Sequence, residues 1–380
     1  MRTLMGMVAH YVLQIEIDSL TKWDDRAQNT TSAHGWIIQD VDLTERSDDL
    51  HRLDVSGALF LGCELPDDIE SDLKERGAIV FPKLPGLPFN PYRANLYKPT
   101  ELYDGVVEGR SYADSTDALV YGWLRTLPHL LPLRASLAMT LHDHAISDAL
   151  DEACQSFDPK NTFGIMGGHA VKRNSDAYIG SARLASMLAS NNNLVLTGGG
   201  PGAMEAANLG AFLANRPAAL RSALDHLGLA KDYVGQETYW SALALEIRQT
   251  LNPSGTSIGV PTWYYGHEPA NVFGTGIAKY FSNALREDAL ITHCKGGIVY
   301  LPGAAGTTEE MFQTVTKNYY AASEELISPM VLVDKEYWTR QLPAWQLLSS
   351  LAKGKPMENK IFLVDEVDEA AELLLSVESR

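Results

Sequence analysis

The chain has 380 residues, of which 45% are hydrophobic and 21% charged, proportions that are typical of a soluble globular protein with room for two domains. Its 31 basic and 48 acidic residues give a net charge of −17, which argues against nucleic acid as a partner. The apolar runs are far shorter than the roughly 18 residues that a spanning helix needs, so no membrane partner is expected.

Acidic residues interrupt the N-terminal apolar stretch, where a signal peptide would stay apolar, and we therefore expect a cytoplasmic protein. The three cysteines lie far apart without a CxxC pair, so neither a disulfide framework nor a metal site is indicated.

Residues 1–155 predict a smaller α/β domain of unknown role. Within it, DVSGALFLGCELPDDIESDLKERGAIVFPKLPG (54–86) is typical of one strand, one helix and a second strand. A proline-rich connection follows at 82–93, and then a helical stretch that includes 146–157. The sequence indicates that internal repeats are absent.

Residues 156–380 alternate short β-rich runs with helical patterns, which predicts a doubly wound, Rossmann-like parallel sheet. The predicted strands are FGIMG, NLVLT, TSIGV, GIVYL, PMVLVD and KIFLVD. A longer, mostly helical excursion at 215–253 is either a lid or an oligomer contact, and the sequence leaves both open.

Two glycine loops follow predicted strands and precede predicted helices: GGGPGAME (198–205) and PGAAGTTEE (302–310). Glycines let the backbone approach an anion closely, and the N–H groups at a helix start point towards it. The pair predicts a nucleotide pocket at the carboxyl ends of the strands. The candidate phosphate- and substrate-binding residues are Gly198, Gly199, Gly200, Gly202, Gly303, Gly306 and Thr307.

At these loops the chain resembles the LONELY GUY family, cytokinin-activating 5′-monophosphate phosphoribohydrolases that are often mislabelled as lysine decarboxylases. The family pattern pairs GGGxxGLMG with PGGxGTxxE, and the GPGAME variant is more similar to larger bacterial nucleosidases that act on nucleoside 5′-monophosphates. The resemblance covers roughly 162–380. Ala304 replaces the second glycine of PGGxGT, and REDAL from Arg286 stands where the family has RKxxM.

The resemblance implies that Glu310 is the catalytic carboxylate, that Arg286 positions substrate or carboxylate, and that Met204 packs against the base. From spacing alone, Thr307 and Glu310 also fit a capping box at a helix start. His169 follows the first core strand and is either a ligand contact or a structural residue. The aromatic run at 263–265 either stacks on a base or fills a core.

The resulting hypothesis is an enzyme that hydrolyses nucleoside 5′-monophosphates to free base and ribose 5-phosphate, with no metal or organic cofactor. The alternative is a non-catalytic nucleotide or molybdenum-cofactor carrier on the same fold. Pyridoxal phosphate-dependent decarboxylation and dinucleotide-dependent oxidation are less favoured, because no lysine lies in a convincing setting and GGGPGA is not GxGxxG. The family also implies a homodimer or a larger homo-oligomer.

Overall fold

A computed structural model of the protein describes residues 15–265 and 268–377 and divides the chain into two units, Met1–Asn95 and Leu96–Arg380. The domain boundary predicted from the sequence is at residue 155. The difference arises because residues after 95 pair with the larger unit: Tyr97 exchanges two backbone hydrogen bonds with Ile277, and Asp143 accepts from the N–H groups of Phe281 and Ser282.

Four short parallel strands form the sheet of the N-terminal unit, in the order in which they occur in the chain. The elements are β1 Ile15–Ile17, α1 Leu20–Ala27, β2 Trp36–Gln39, α2 Ser47–Arg52, β3 Leu59–Leu61, α3 Ile69–Glu75 and β4 Ile79–Phe81. The predicted strand–helix–strand segment is therefore β3, α3 and β4. The core of this unit is built around Trp23, Trp36, Phe60 and Leu73.

This unit is repetitive, so the prediction that internal repeats are absent is wrong. Ile15 pairs with Trp36, Ile37 with Leu59 and Leu59 with Ile79, so each strand–helix turn advances the chain by roughly 20 to 22 residues. A glycine with positive φ precedes three of the strands, at Gly35, Gly57 and Gly77. The N–H of Gly35 donates to the carbonyl of Gly57, and that of Gly57 to the carbonyl of Gly77, which stacks successive turns in register.

The larger unit contains a seven-stranded, all-parallel sheet in the order β11-β10-β9-β5-β6-β7-β8. Its first elements are α4 Pro99–Leu102, α5 Thr116–Thr126, α6 Leu133–Gln155, β5 Thr162–Met166, α7 Asp176–Leu188, β6 Leu194–Thr197, α8 Ala203–Phe212, α9 Pro217–Leu227 and α10 Glu237–Thr250. They continue with β7 Thr256–Gly259, β8 Gly276–Ile277, α11 Asn283–His293, β9 Gly297–Tyr300, α12 Ala305–Tyr319, β10 Met330–Val333, α13 Ala344–Ala352, β11 Ile361–Val364 and α14 Val367–Val377.

The predicted doubly wound α/β fold is confirmed. All six predicted strands form: five are almost wholly buried, and β11 at the edge of the sheet is partly buried. Residues of α7, α8 and α14 pack with the strands in one core cluster, whereas Gly164 of β5 faces Cys294 at the end of α11. The excursion predicted at 215–253 forms α9 and α10. No helix in the described residues combines the length and apolar character needed to cross a membrane.

Candidate active site

Loops at the carboxyl ends of β5, β6, β7 and β9, together with Arg286 of α11, form the site. The chain runs outward from β5 through β6 and β7 and later returns to place β9 on the other side of β5. Such a reversal of strand order opens the crevice in which doubly wound sheets bind ligands. Gly168 ties the loops together: its N–H donates to the carbonyl of Pro302 at 3.1 Å, and its carbonyl accepts from the N–H of Ala203 at 3.1 Å.

A buried network of polar side chains holds the triple-glycine loop. Asn271 donates its backbone N–H to the carbonyl of Gly199 at 2.8 Å and its side-chain amide to that of Gly200 at 3.1 Å. The same amide donates to Asn208 Oδ1 at 2.8 Å, which also accepts from the Thr197 hydroxyl at 2.7 Å. A buried network whose members are satisfied fixes one geometry, so this loop is preorganised. Neither asparagine is among the residues predicted for the site.

Gly202 allows the closest approach between two loops. Its φ is +71°, and a Cβ at this position would lie 2.5 Å from the carbonyl oxygen of Gly168 and 2.6 Å from that of His169. The N–H of Ala203, the first residue of α8, is already used by Gly168. The start of α8 is therefore partly occupied by protein, contrary to the expectation that both glycine loops lead into open anion sites.

The start of α12 has the open geometry. The first intrahelical hydrogen bond runs from the N–H of Thr308 to the carbonyl of Ala304, so Ala305, Gly306 and Thr307 carry the N–H groups that a helix leaves without an intrahelical acceptor. Ala304, the substituted glycine of the family pattern, is the cap residue and is exposed. Together with the helix dipole, these N–H groups suit an anion.

The capping box that the spacing permits does not form. Thr307 is the third residue of α12 rather than its cap, and no side chain caps this helix. The Thr307 side chain instead packs on the Cα of Gly303, where a Cβ would collide with its Oγ1. Tyr337 donates its hydroxyl to the Gly303 carbonyl at 2.7 Å and anchors the loop from behind. Glu310, freed from a capping role, points to Arg286.

Arg286 and Glu310 form a buried ion pair. Their side chains are 7% and 6% exposed, and Arg286 Nη1 lies 3.0 Å from Glu310 Oε1. The guanidinium also donates Nε to the carbonyl of Val260 at 2.8 Å, and its Nη2 lies 3.5 Å from the carbonyl of Gly198. Burial raises the pKa of the Glu310 carboxyl, and Arg286 opposes part of that rise. The ion pair therefore links α11, through Arg286, to α12, through Glu310 at the end of the second glycine loop.

A second buried carboxylate, Glu287, shares the same arginine. Its Oε1 lies 3.5 Å from Arg286 Nη1 and accepts from the Asn283 amide at 2.6 Å, while its Oε2 accepts from the Gln313 amide at 2.6 Å. Burial raises the pKa of Glu287 from an ordinary value of 4.5 to about 7. This residue stands where the family pattern has a lysine, and the sequence analysis did not consider it as a functional residue.

These groups line a cleft of about 390 Å³. Eight predicted site residues are among its lining: His169, Gly198, Gly200, Met204, Arg286, Gly306, Thr307 and Glu310. The other lining residues are Gly167, Gly168, Pro261, Thr262, Tyr265, Glu268, Ala304, Ala305 and Glu309. The described lining contains three carboxylates and one arginine, so an anionic ligand must depend on N–H donors as much as on charge.

The three remaining predicted glycines support the cleft from behind. Gly199 packs against the ring of Pro261, Gly202 against Gly168, and Gly303 against Thr307. Their roles are steric, and direct ligand contact by any predicted residue stays a prediction.

His169 and the aromatic residues at 263–265 lie in different surroundings. His169 is half exposed and lies 3.4 Å from Glu268 at the cleft. Trp263 is buried, donates Nε1 to Asp117 at 2.9 Å and packs against Phe281, so it cannot stack on a base. Tyr265 lines the cleft and donates its hydroxyl to Glu309 at 3.0 Å.

Comparison with known proteins gives one family match. Residues 236–375 match the family model described as "Possible lysine decarboxylase", a stretch that contains Arg286 and the second glycine loop but not the first. No curated protein matches the chain.

Solved structures of two molybdenum cofactor proteins are similar to the larger part of the chain. The molybdenum cofactor carrier protein of Chlamydomonas reinhardtii is 16% identical over 58% of this chain and 98% of its own length, with a TM-score of 0.35. The molybdenum cofactor binding protein of Rippkaea orientalis is 14% identical over 57% of this chain and 96% of its own length, with a TM-score of 0.34.

Proposed function

We propose that the protein hydrolyses the N-glycosidic bond of nucleoside 5′-monophosphates. The match of residues 236–375 to the family model described as "Possible lysine decarboxylase", a label often given to LONELY GUY proteins, supports this proposal. The products are a free base and ribose 5-phosphate. The observation that carries the proposal is the buried Glu310–Arg286 pair, which lies in one cleft with the open start of α12.

The start of α12 is the proposed phosphate site. The N–H groups of Ala305, Gly306 and Thr307 and the Thr307 hydroxyl bind the 5′-phosphate at the positive end of the helix dipole. This assignment needs no positive side chain, which suits a lining with only one arginine in its described part. The cleft volume of about 390 Å³ is within the range of small-molecule sites, roughly 300 to 1,000 Å³.

Glu310 is the proposed catalytic carboxylate. It lies one turn into α12, so a phosphate at the helix start places the ribose beside it. Departure of the base leaves positive charge on the sugar, which a carboxylate stabilises, and the same group orients the attacking water. Arg286 holds the carboxylate in place through its Nη1, and the carbonyls of Val260 and Gly198 fix the guanidinium.

The lining supports hydrolysis over the decarboxylation that the family description names. Decarboxylation with pyridoxal phosphate requires a lysine that forms a Schiff base. No lysine is among the described residues that line the cleft.

The test is a panel of nucleoside 5′-monophosphates (AMP, GMP, IMP, CMP, UMP and a prenylated AMP), with free base and ribose 5-phosphate followed by chromatography. Glu310→Gln should lower kcat by roughly 10²- to 10⁴-fold, the usual contribution of an acid–base residue. Glu325→Gln, an exposed carboxylate away from the cleft, is the control and should keep the activity. Nucleotide binding without turnover, unaffected by Glu310→Gln, would contradict the proposal and support a non-catalytic carrier.

A further inference from the structure

The charges of the cleft create a difficulty for a phosphate-binding site. Its described lining contains the carboxylates of Glu268, Glu309 and Glu310, and only Glu310 is paired with an arginine. Behind the lining, Glu287 adds a fourth carboxylate that is fully buried. With all four ionised, a phosphate dianion would enter a strongly negative environment, and repulsion between nearby like charges weakens such binding.

Glu287 is the carboxyl group in this cluster that is best placed to hold a proton. Its two oxygens accept hydrogen bonds from the amides of Asn283 and Gln313, which are neutral donors and neutralise no charge. Among the described residues, the cation that contacts it is Arg286, which lies closer to Glu310, at 3.0 Å against 3.5 Å. One guanidinium cannot neutralise two buried carboxylates, so the second is destabilised in its ionised form.

The charged and titratable groups that face Glu287 come from three segments. Arg286 is on its own helix, α11, and Glu309 and Glu310 are on α12. Tyr265, from the segment after β7, receives a hydrogen bond from Asn283 and donates one to Glu309. Burial and both neighbouring glutamates favour the protonated form of Glu287 and raise its pKa to about 7, although the Asn283 hydrogen bond and the charge of Arg286 oppose part of that rise.

Asn283 shows where the proton would lie. Its Oδ1 is buried and has no hydrogen-bond donor among the described residues, while its nitrogen donates to both Glu287 and Tyr265. A half turn of the amide exchanges its oxygen and nitrogen, and it also places Oδ1 at the Tyr265 hydroxyl, which then donates to Asn283 in place of Glu309. The 2.6 Å contact would then be a hydrogen bond donated by a protonated Glu287 to Asn283 Oδ1.

We propose that Glu287 is a positioning residue that takes up a proton when the site binds a phosphate-bearing ligand, which leaves Arg286 to Glu310. The proton comes from solvent, binds a carboxylate oxygen of Glu287 and is released again when the ligand leaves. This inference rests on the proposed function, because it takes a sugar phosphate as the occupant of the cleft. Binding of the anion and the buried proton then stabilise each other.

The experiment is calorimetric titration of the full-length protein with ribose 5-phosphate, in buffers of different ionisation enthalpy at pH 7. If binding moves the pKa of Glu287 up by one unit, uptake is roughly 0.4 proton per site, and affinity falls about sixfold from pH 6.5 to 8.5. Glu287→Gln should abolish the uptake and most of the pH dependence. Asp288→Asn, an exposed neighbour on the same helix, should keep both.

The outcomes separate this inference from the proposed function. Proton uptake that persists in Glu287→Gln but disappears in Glu310→Gln would overturn the inference. Ribose 5-phosphate binding with Glu287-dependent uptake, but without cleavage of any nucleotide, would overturn the hydrolase and leave the inference standing. A wild-type protein that does not bind ribose 5-phosphate would overturn both.

An infrared difference spectrum of the wild-type protein covers the case in which Glu287→Gln does not fold. Ligand binding should increase the absorption of a protonated carboxyl group, and an unchanged carboxyl region would overturn the inference.

Discussion

Alanine substitutions of three glycines should change the free energy of unfolding by different amounts, because the added Cβ meets backbone at one position, side chains at the second and open space at the third. Gly202 has a φ of +71°, and its Cβ would lie 2.5 Å from the backbone oxygen of Gly168. At Gly198 the Cβ would lie 2.5 Å from Arg286 Nη2 and 2.6 Å from Met204 Sδ, both near the ends of flexible side chains. At Gly122, in the exposed middle of α5, no atom lies within 4 Å of the added carbon.

The expected magnitudes follow from these surroundings. Gly202→Ala combines a left-handed conformation, costing about 1 to 2 kcal/mol, with a backbone collision worth about 1 to 3 kcal/mol, so the free energy of unfolding should fall by about 2 to 5 kcal/mol. Gly198→Ala should cost about 1 kcal/mol, because the side chains can shift. Gly122→Ala should stabilise the protein by about 0.5 to 1 kcal/mol, since alanine is the better helix residue.

Urea denaturation followed by tryptophan fluorescence measures the stabilities, and the nucleotide panel measures activity. Gly198→Ala should lose more activity than stability: displacement of Arg286 from Glu310 removes a charge-assisted interaction worth about 1.5 to 3 kcal/mol, or roughly 10- to 100-fold in kcat/KM. Gly122→Ala should keep full activity. A Gly202→Ala protein as stable as the wild type would refute the close approach, and equal losses of stability at Gly198 and Gly202 would refute the distinction between side chain and backbone.

Three further predictions concern the supports of the site. Tyr337→Phe removes the 2.7 Å hydrogen bond to the Gly303 carbonyl, worth about 1 kcal/mol, and should raise KM for nucleotides roughly fivefold in steady-state assays. Asp117→Ala leaves the buried ammonium of Lys279, 2.6 Å away, without its carboxylate partner and should lower the free energy of unfolding by about 3 to 5 kcal/mol. Adding Lys279→Met to this variant should recover part of the lost stability in urea titrations. The pKa of Glu287 rises from 4.5 to about 7 on folding, so its contribution to stability is complete below pH 4.5 and is lost as the pH rises to about 7. Glu287→Gln should therefore flatten the decline in denaturation midpoint between pH 4.5 and 7.

Much of the larger unit's fold can be predicted from the sequence because its strands are short apolar runs bounded by turns. Strand β8 (Gly276–Ile277) was not predicted, because a run of two residues is too short to show a hydrophobic periodicity. The start of α12 was placed at Thr307 in the capping alternative, whereas the helix begins at Ala305, since a glycine two residues into a helix gives no start signal.

The site was predictable only where residues adjacent in sequence carry it. The two glycine loops supplied Gly198, Gly306 and Glu310 to one cleft. Asn271 and Glu287 were missed because their importance arises from contacts made across the fold, with the triple-glycine loop and with Arg286. The N-terminal repeat did leave a signal, the glycines at 35, 57 and 77, which a search at a period of about 20 to 22 residues would find.

Because the turns at Gly35, Gly57 and Gly77 stack in the same way, we expect the N-terminal unit to tolerate the addition or removal of whole strand–helix turns. Neighbouring strand–helix turns are joined by backbone hydrogen bonds, as Gly35 is to Gly57 and Gly57 to Gly77. In such a one-dimensional stack, stability is a sum over turns and their shared faces. Duplication of a whole turn therefore preserves every interface, whereas loss of half a turn leaves two faces unmatched. Variation among related chains is expected to come in steps of a full turn.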